Sequence, residues 1–495
     1  MTFASIGAER EGGRWGALAL IVAAQFMVIL DVAIVNVALP SIKTDLHFSE
    51  ANLQWVITDY AIIFGGVLLL GARLADLFGR RRLFVAGLGV FVVSSLLSGL
   101  AWSESSLIAF RALQGLGGAL LAPAALSILM TTFAEGRERN LALGIYAAAS
   151  GSGAAAGVLL GGLLTSYLSW SWIFFINVPV GLAAIALTPV LLRESKGLAA
   201  QRHFDLAGAT SVTAGLMLFV YALTRAAENG WSSTSTITLL GASVALIAAF
   251  IAIELRSRAP LLPMRLFRLR SLAAANAAGV AVAAVGFSTF FLLTLYMQQV
   301  LHYSAMQTGV AFIAITLTIV VVSNIAQTLV TRLGARRVLT AGLLVAAAAL
   351  ILLGRLPADG QYFWNIFPAL ILAGIGMALS FISMTIAGLT GVERADAGVA
   401  SGLINTSRQV GGAVGLAAVS TVATTYTNQY VDTHEGTTAL SAAALTHGFD
   451  VTFYALAALA IAGAVVAAIF IEPQNRLAAV EQVDQEEIAL IEEAA

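Results

Sequence analysis

The stretch Gly71-Ala-Arg-Leu-Ala-Asp-Leu-Phe-Gly-Arg-Arg-Arg82 is a short cationic connection between two long apolar segments. A link this short makes its flanking segments antiparallel neighbours. Three consecutive arginines, Arg80, Arg81 and Arg82, at the edge of an apolar run mark the cytoplasmic face of a membrane, where basic residues concentrate. Asp76 can pair with an arginine or cap the next helix, and Gly71 and Gly79 permit tight turning. The loop reads as a topological anchor or as a hinge between moving helices.

Composition points the same way. Of the 495 residues 59% are hydrophobic and 11% charged, with mean hydropathy +0.90. Soluble domains carry roughly 25% charged residues, so a water-soluble fold is excluded. The chain has no cysteine, which removes disulfides, thiolate metal sites and cysteine nucleophiles. The first 14 residues are polar, and the apolar run after them is too long for a signal-peptide core, so it reads as a retained first span. Nearly all the basic residues sit in loops or at span ends, and they form no nucleic-acid surface.

A membrane span needs about 20 largely apolar residues. Fourteen segments qualify: 15–40, 51–71, 82–101, 104–130, 141–166, 171–192, 206–226, 235–254, 272–299, 305–330, 338–355, 363–389, 397–422 and 449–471. An even count puts both termini on one side. Of the 26 lysines and arginines, 21 then fall on the side of the termini, three on the other (Lys43, Arg225, Arg355), and Arg111 and Arg408 lie inside spans. That asymmetry places both termini in the cytoplasm.

The chain also repeats. Leu329-Val-Thr-Arg-Leu-Gly334-Ala-Arg336-Arg337 echoes Leu74 to Arg82 at an offset of 255 residues, and the same register sets Gly157 against Gly412. The expected organisation is all-α and integral to the membrane. A cytoplasmic N-terminus (1–14) precedes a six-helix bundle (15–192), and a linker with two inserted spans (193–271) leads to a second six-helix bundle (272–471). An acidic cytoplasmic tail (472–495) follows. Parallel repeats enclosing a midplane site are a transporter architecture.

Six motifs then align with one family. Leu30-Asp31-Val-Ala-Ile-Val-Asn36-Val-Ala-Leu-Pro40 in the first span, the Gly71–Arg82 loop, and Arg111-Ala-Leu-Gln114-Gly115-Leu-Gly117-Gly118 in the fourth are three. Gly153 to Gly162, Trp172-Ile-Phe-Phe-Ile-Asn177-Val-Pro179, and Ser401-Gly-Leu-Ile-Asn405-Thr-Ser-Arg408-Gln409-Val-Gly-Gly412 complete the set. Together they resemble the major facilitator superfamily, specifically its fourteen-helix drug:proton antiporters. The pattern departs at Leu77, where a basic residue is usual, and at Val158, where proline normally follows glycine. The resemblance implies the major facilitator fold, and it implicates Asp31, Arg111 and the loop residues Asp76, Arg80 and Arg81 in proton coupling and gating.

The residues carry their own reasoning. A charge inside a span costs at least roughly 2.5–3.5 kcal/mol and must face the interior or water. Asp31 and Arg111 form a coupling pair or a fixed structural tie between helices one and four. An arginine favours the ionised acid and burial favours the neutral one, so small rearrangements can move a proton. Asp59, flanked by Trp55 and Tyr60, suits a lipophilic cation through charge and cation–π contact, or is a hydrated acid near the outer mouth. Arg408 shares a polar stripe with Ser401 and Asn405, which favours hydrogen bonds to neighbouring helices over an anionic ligand. Gln25, Asn36, Gln114, Asn177, Gln298, Asn324 and Asn405 are candidate cavity hydrogen-bonders. Gly153, Gly157 and Gly161 are spaced for close helix approach, with Gly115, Gly118, Gly162 and Gly412 as further packing positions.

The function expected is proton-coupled export of amphipathic, cationic or neutral drug-like compounds by alternating access. The alternative is dedicated export of a natural product or metabolite by the same machine. A nontransporting receptor or scaffold is a third reading, against which the short loops count. No nucleophile–base pair or metal cluster marks an enzyme, and the five histidines lie at loops or span ends. No phosphate-binding Gly-x-x-x-x-Gly-Lys motif is present, so a proton gradient, with no cofactor, is the expected driver. Expected partners are lipophilic small molecules, protons and lipids. The expected state is a monomer in the bacterial cytoplasmic membrane.

Overall fold

The computed structural model describes residues 3–48, 53, 55–134, 136–194, 205–257, 260, 262–393, 396–434, 438–439 and 441–472. The acidic tail beyond Glu472 and the side chain of Asp76 lie outside the described residues. Among those described there is no strand. In a bilayer backbone N–H and C=O groups must find partners inside the protein, and a helix supplies them within its own segment.

The first six principal helices are α1 (Phe3–Asp45), α2 (Trp55–Phe78), α3 (Arg80–Gly99), α4 (Glu104–Thr132), α5 (Arg137–Tyr167) and α6 (Trp172–Leu191). The middle pair is α7 (Leu206–Asn229) and α8 (Thr234–Glu254). The last six are α9 (Arg270–Val300), α10 (Met306–Leu333), α11 (Ala335–Leu353), α12 (Tyr362–Leu389), α13 (Ala397–Thr433) and α14 (Ala442–Phe470). Serine and aspartate caps start several of them. Ser103 closes a capping box with Ser106 on α4, and Asp205, Ser233 and Ser441 accept first-turn N–H groups of α7, α8 and α14.

Twelve of these helices are long and apolar enough to cross a membrane, which makes the chain a multi-pass membrane protein. Among the described residues the expected fourteen are not reached by that measure. Spans five and seven also form helices, α5 and α7, in each of which some side chains lie outside those described, and α7 contributes a described apolar run, Ala207–Leu223.

Contacts sort the helix ends into two faces. One, the basic end, gathers Arg14 with Glu138 (3.3 Å), Arg265 with Asp396 (2.9 Å) and the Glu472 N–H with Ser271 Oγ (3.2 Å). At the other end Trp170 Nε1 donates to Asp45 Oδ2 at 2.7 Å. There α9 ends and α12 begins in a π-helical turn, and Tyr296 Oη donates to the Pro357 carbonyl at 2.6 Å.

The 255-residue repeat recurs in the packing. Gly79 and Gly334 both precede a helix at positive φ, 107° and 84°, a conformation that other residues rarely adopt. A Cβ at Gly157 would lie 2.7 Å from the Leu30 carbonyl, so α5 and α1 meet backbone to backbone. At the equivalent place in the second half, a Cβ at Gly412 would lie 2.8 Å from the Phe287 ring, and one at Gly415 2.7 Å from the Ala284 backbone, seating α13 on α9. Gly87 and Gly342, again 255 apart, sit where α3 meets α4 and α11 meets α12. These glycine contacts therefore lie inside each half.

The halves meet where α13 crosses α2 and α4 and where α10 and α12 cross α5. Ser401 Oγ donates to the Pro123 carbonyl across this boundary at 3.3 Å. The pair α7–α8, tied by Ser243 Oγ to the Gly215 carbonyl (2.9 Å), packs against the bundle through α7, which touches α2 and α13.

Candidate binding and coupling site

Two polar constellations sit inside this apolar bundle. The first is sealed within the first six helices. Asp31 of α1 is 0% exposed and Arg111 of α4 1%. Arg111 Nη1 donates to Asp31 Oδ2 at 2.6 Å and to Gln114 Oε1 at 2.7 Å, while its Nε donates to the Val56 carbonyl of α2 at 3.0 Å. The other carboxylate oxygen, Asp31 Oδ1, accepts from Gln114 Nε2 (2.8 Å) and from Asn177 Nδ2 of α6 (2.9 Å). Asn177 also donates to Ser95 Oγ of α3 at 3.1 Å, and Ser95 donates to the Phe174 carbonyl at 2.9 Å. The guanidinium lies over the Tyr60 ring at 4.4 Å and the Phe174 ring at 5.6 Å. Five helices thus contribute to one network around this carboxylate. Burying two charges costs several kcal/mol per ion unless geometry and further hydrogen bonds compensate, and here both are present.

Gln114, expected to face a cavity, serves this carboxylate instead, and Asn177 serves it while also lining a cavity. Tyr60 belongs to it too, and that separates Tyr60 from Asp59, because consecutive helical residues point about 100° apart. Trp55 stacks on Tyr221 of α7 at 5.6 Å, and Arg225 lies 5.9 Å from its ring. Its aromatic face already meets a cation of the protein itself. The expected cation cage of Trp55, Asp59 and Tyr60 is thus not assembled in this conformation. Asp59 is half-buried and has no hydrogen bond or ion pair among the described residues.

The second constellation spans the two halves, roughly 12–18 Å from the basic end at 1.5 Å rise per residue. From the first half, Tyr146 Oη of α5 donates to Gln25 Oε1 of α1 at 2.8 Å, and Gln25 Nε2 donates to Ser150 Oγ at 3.3 Å. From the second half, Arg408 of α13 places its guanidinium 5.0 Å from the Phe381 ring of α12. Tyr146 lies near enough to Arg408 for the two groups to interact electrostatically. Arg408 makes no hydrogen bond or ion pair among the described residues, and its buried Nε has no partner. The expected hydrogen bonds to neighbouring helices are absent. Its stripe-mate Asn405 bonds the Ser401 carbonyl of its own helix at 3.1 Å.

The remaining candidates are dispersed. Asn36 is exposed and donates to the Val32 carbonyl. Gln298 is exposed near the end of α9, and Asn324 lies on the outer face of α10 with exposed Leu317, Val321 and Ile325. Arg80 is buried. Arg81 N–H donates to Glu194 Oε1 at 3.2 Å, and Arg81 and Arg82 lie 3.9 and 3.7 Å from Glu194 Oε2. That tie, just past α6, stays within the first half. Gly115 and Gly118 seat α4 on Tyr60 and Phe64 of α2, whereas Gly162 faces Met306 across the halves at an ordinary 3.8 Å.

Sequence reasoning passed over four residues. Tyr146, Ser150 and Ser95 are common types in apolar helices and carry no signal of their own. Asp450 does. It lies eight residues inside α14, and its buried Oδ1 has no hydrogen-bond partner. An acid within an apolar run was the available sign.

A cavity of about 670 Å³ runs between α1, α5 and α6. Its lining is apolar, with Val22, Phe26, Met27 and Leu30 along α1, and it reaches Asn177, one of the donors to Asp31. It belongs to the first half and is not the interface between halves.

Comparison with known proteins follows the same lines. A family model described as Major Facilitator Superfamily matches residues 21–416. The chain is 40% identical to the puromycin resistance protein pur8 of Streptomyces alboniger, covering 94% of this chain and 93% of that protein. It is 41% identical to the cephamycin export protein CmcT of Amycolatopsis lactamdurans, over 82% and 84% of the respective chains. With the multidrug resistance protein Stp of Mycobacterium tuberculosis (strain H37Rv) identity is 33%, over 83% and 76%. In structure it resembles the human organic anion transporter MFSD10 (TM-score 0.64, 14% identity, 92% and 99% covered), a likeness of fold.

Proposed function

The chain belongs to the Major Facilitator Superfamily, and we propose that it exports amphipathic, drug-like compounds across the bacterial cytoplasmic membrane in exchange for protons. The observation that carries this reading is its near-full-length likeness to proteins named for antibiotic resistance and antibiotic export. In this reading it is a fourteen-helix antiporter, with α5 and α7 as the remaining two spans. Its basic end faces the cytoplasm, in keeping with the concentration of arginines there.

Support for proton exchange comes from the Asp31 network. A proton on Asp31 cancels its attraction to Arg111 and converts an acceptor of three hydrogen bonds into a partial donor. Arg111 keeps Val56 O and the Tyr60 ring, so α4 stays attached to α2 while its hold on α1 weakens. Protonation and helix position are thereby linked. The Gly157 contact binds α1 to α5, and α5 packs against α10 and α12 of the second half, so movement of α1 reaches the boundary between halves.

A drug-susceptibility panel in a pump-deficient bacterium expressing the chain tests the export reading. Lower accumulation of several amphipathic compounds is expected. Unchanged accumulation of every compound, with the protein present in the membrane, would contradict it. The name of the cephamycin export relative favours a second reading, dedicated export of a natural product, which predicts protection against a single chemical class in the same panel.

A further inference from the structure

We infer that Arg408 is a binding point for an oxyanion, a carboxylate or its equivalent, carried by the exported amphiphile. The inference rests on the export reading and names the substrate class of the site between the halves. Other buried charges offer a comparison. Arg111 has Asp31, Gln114 and the Val56 carbonyl, and buried Glu254 accepts from the Leu262 N–H at 3.3 Å. Arg408 has none of these among the described residues. Its guanidinium meets the Phe381 face at 5.0 Å, and its enclosed Nε bonds to nothing.

An arginine does not lose its proton in a protein, so this position carries a full positive charge that meets no counter-charge among the described residues. Arg408 as a residue is only partly buried, so water meets part of this charge, while its enclosed Nε is left without a partner, which is unfavourable for a buried donor. A ligand that brings the missing negative charge relieves it. The guanidinium suits a carboxylate because its planar fork of N–H donors can bind both oxygens.

The surroundings define the remainder of the ligand. Phe381 with its neighbours Ala147, Ile319 and Met377 forms an apolar wall. Tyr146 and Gln25 approach from the other half but satisfy one another, leaving the guanidinium as the unsatisfied donor. Because Arg408 and Phe381 belong to one half and Tyr146 and Gln25 to the other, the site opens as the halves separate and closes over a ligand as they rejoin. The ligand class is an apolar body bearing an oxyanion, which differs from the cationic or neutral compounds expected from Asp59.

The test uses purified full-length protein in detergent and two probes, dansyl-labelled undecanoic acid and its methyl ester, followed by dansyl fluorescence. The acid is expected to bind at least about tenfold more tightly than the ester, as a charge-assisted hydrogen bond implies. R408Q is expected to reduce that ratio to about twofold or less while leaving the ester affinity unchanged, and R408K to an intermediate value. Equal binding of acid and ester by the unaltered protein overturns the inference, as does no binding of the acid, or a ratio that survives in folded R408Q. The wild-type comparison decides even if R408Q does not fold. Failure of the susceptibility panel with the acid–ester ratio intact would reject export and keep the site. The reverse outcome would reject the site alone.

Discussion

Nη1 of Arg111 lies 2.6 Å from Oδ2 of Asp31, and neither side chain reaches solvent. Gln114 Nε2 and Asn177 Nδ2 occupy the other carboxylate oxygen, and the Tyr60 ring covers the guanidinium. An ion pair so enclosed is costly to break from one side. Arg111→Gln leaves Asp31 buried without its cation and should destabilise the protein by about 3–5 kcal/mol. Asp31→Asn combined with Arg111→Gln should cost less than the sum of the single changes, measured by thermal unfolding in detergent. Strict additivity would mean that the two side chains do not act as a pair.

The glycines make a position-specific forecast. Gly157→Ala drives a methyl against the Leu30 carbonyl at 2.7 Å, where only backbone can yield. A cost of about 1–3 kcal/mol is expected, as for overpacking elsewhere. Gly162→Ala meets Met306 at 3.8 Å and should shift stability by about 0.5 kcal/mol or less. Melting temperatures of the two variants, compared side by side, check this. Equal losses would show that α5 does not lie against α1 as described.

Glu194 joins the Arg80–Arg82 loop to the end of α6. Glu194→Gln removes the charge facing Arg81 and Arg82 and keeps a hydrogen-bond acceptor for the Arg81 N–H. Exposed ion pairs contribute little, so stability should change by about 1 kcal/mol or less. If the tie restrains helix movement, transport of a dye in proteoliposomes should still change. Unaltered transport would reduce Glu194 to a surface contact.

Asp396, just before α13, offers a pH test outside the spans. Burial pushes its carboxyl above the ordinary value, Arg265 at 2.9 Å pulls it back, and Glu393 adds to the rise. A folded-state value above the unfolded one means that the folded chain holds the proton more tightly. Stability from this group is therefore greatest at low pH and falls as pH rises from about 4 through the raised folded value. Arg265→Gln should extend that fall to higher pH, and Asp396→Asn should abolish it. Melting temperature against pH for the three proteins gives the answer. Identical profiles would remove Asp396 as the titrating group.

Much of this was legible in the sequence, for a physical reason. A charge within an apolar run is expensive, so Asp31, Arg111 and Arg408 stand out from the order of residues alone. Glycine spacing marked the α1–α5 contact, and the 255-residue echo marked the paired helix starts at Gly79 and Gly334. What the sequence hid was side-chain direction. Trp55, Asp59 and Tyr60 are neighbours along α2, yet Trp55 meets Tyr221 and Tyr60 meets Arg111. Partners distant in sequence were hidden as well. Glu194 lies more than a hundred residues beyond the arginines it meets, and nothing local announces it. A polar stripe suggested that Arg408 would be bonded within the bundle, but its neighbours satisfy themselves.

Proton flux driven by substrate, recorded in proteoliposomes with an internal pH-sensitive dye, tests Asp31 as the coupling acid most directly. Adding an exported compound to the side it leaves from should move protons in the opposite direction. Asp31→Asn should abolish that flux in protein that remains folded and inserted. Substrate movement without proton flux in the unaltered protein, or proton flux of normal size in Asp31→Asn, would contradict proton exchange at Asp31.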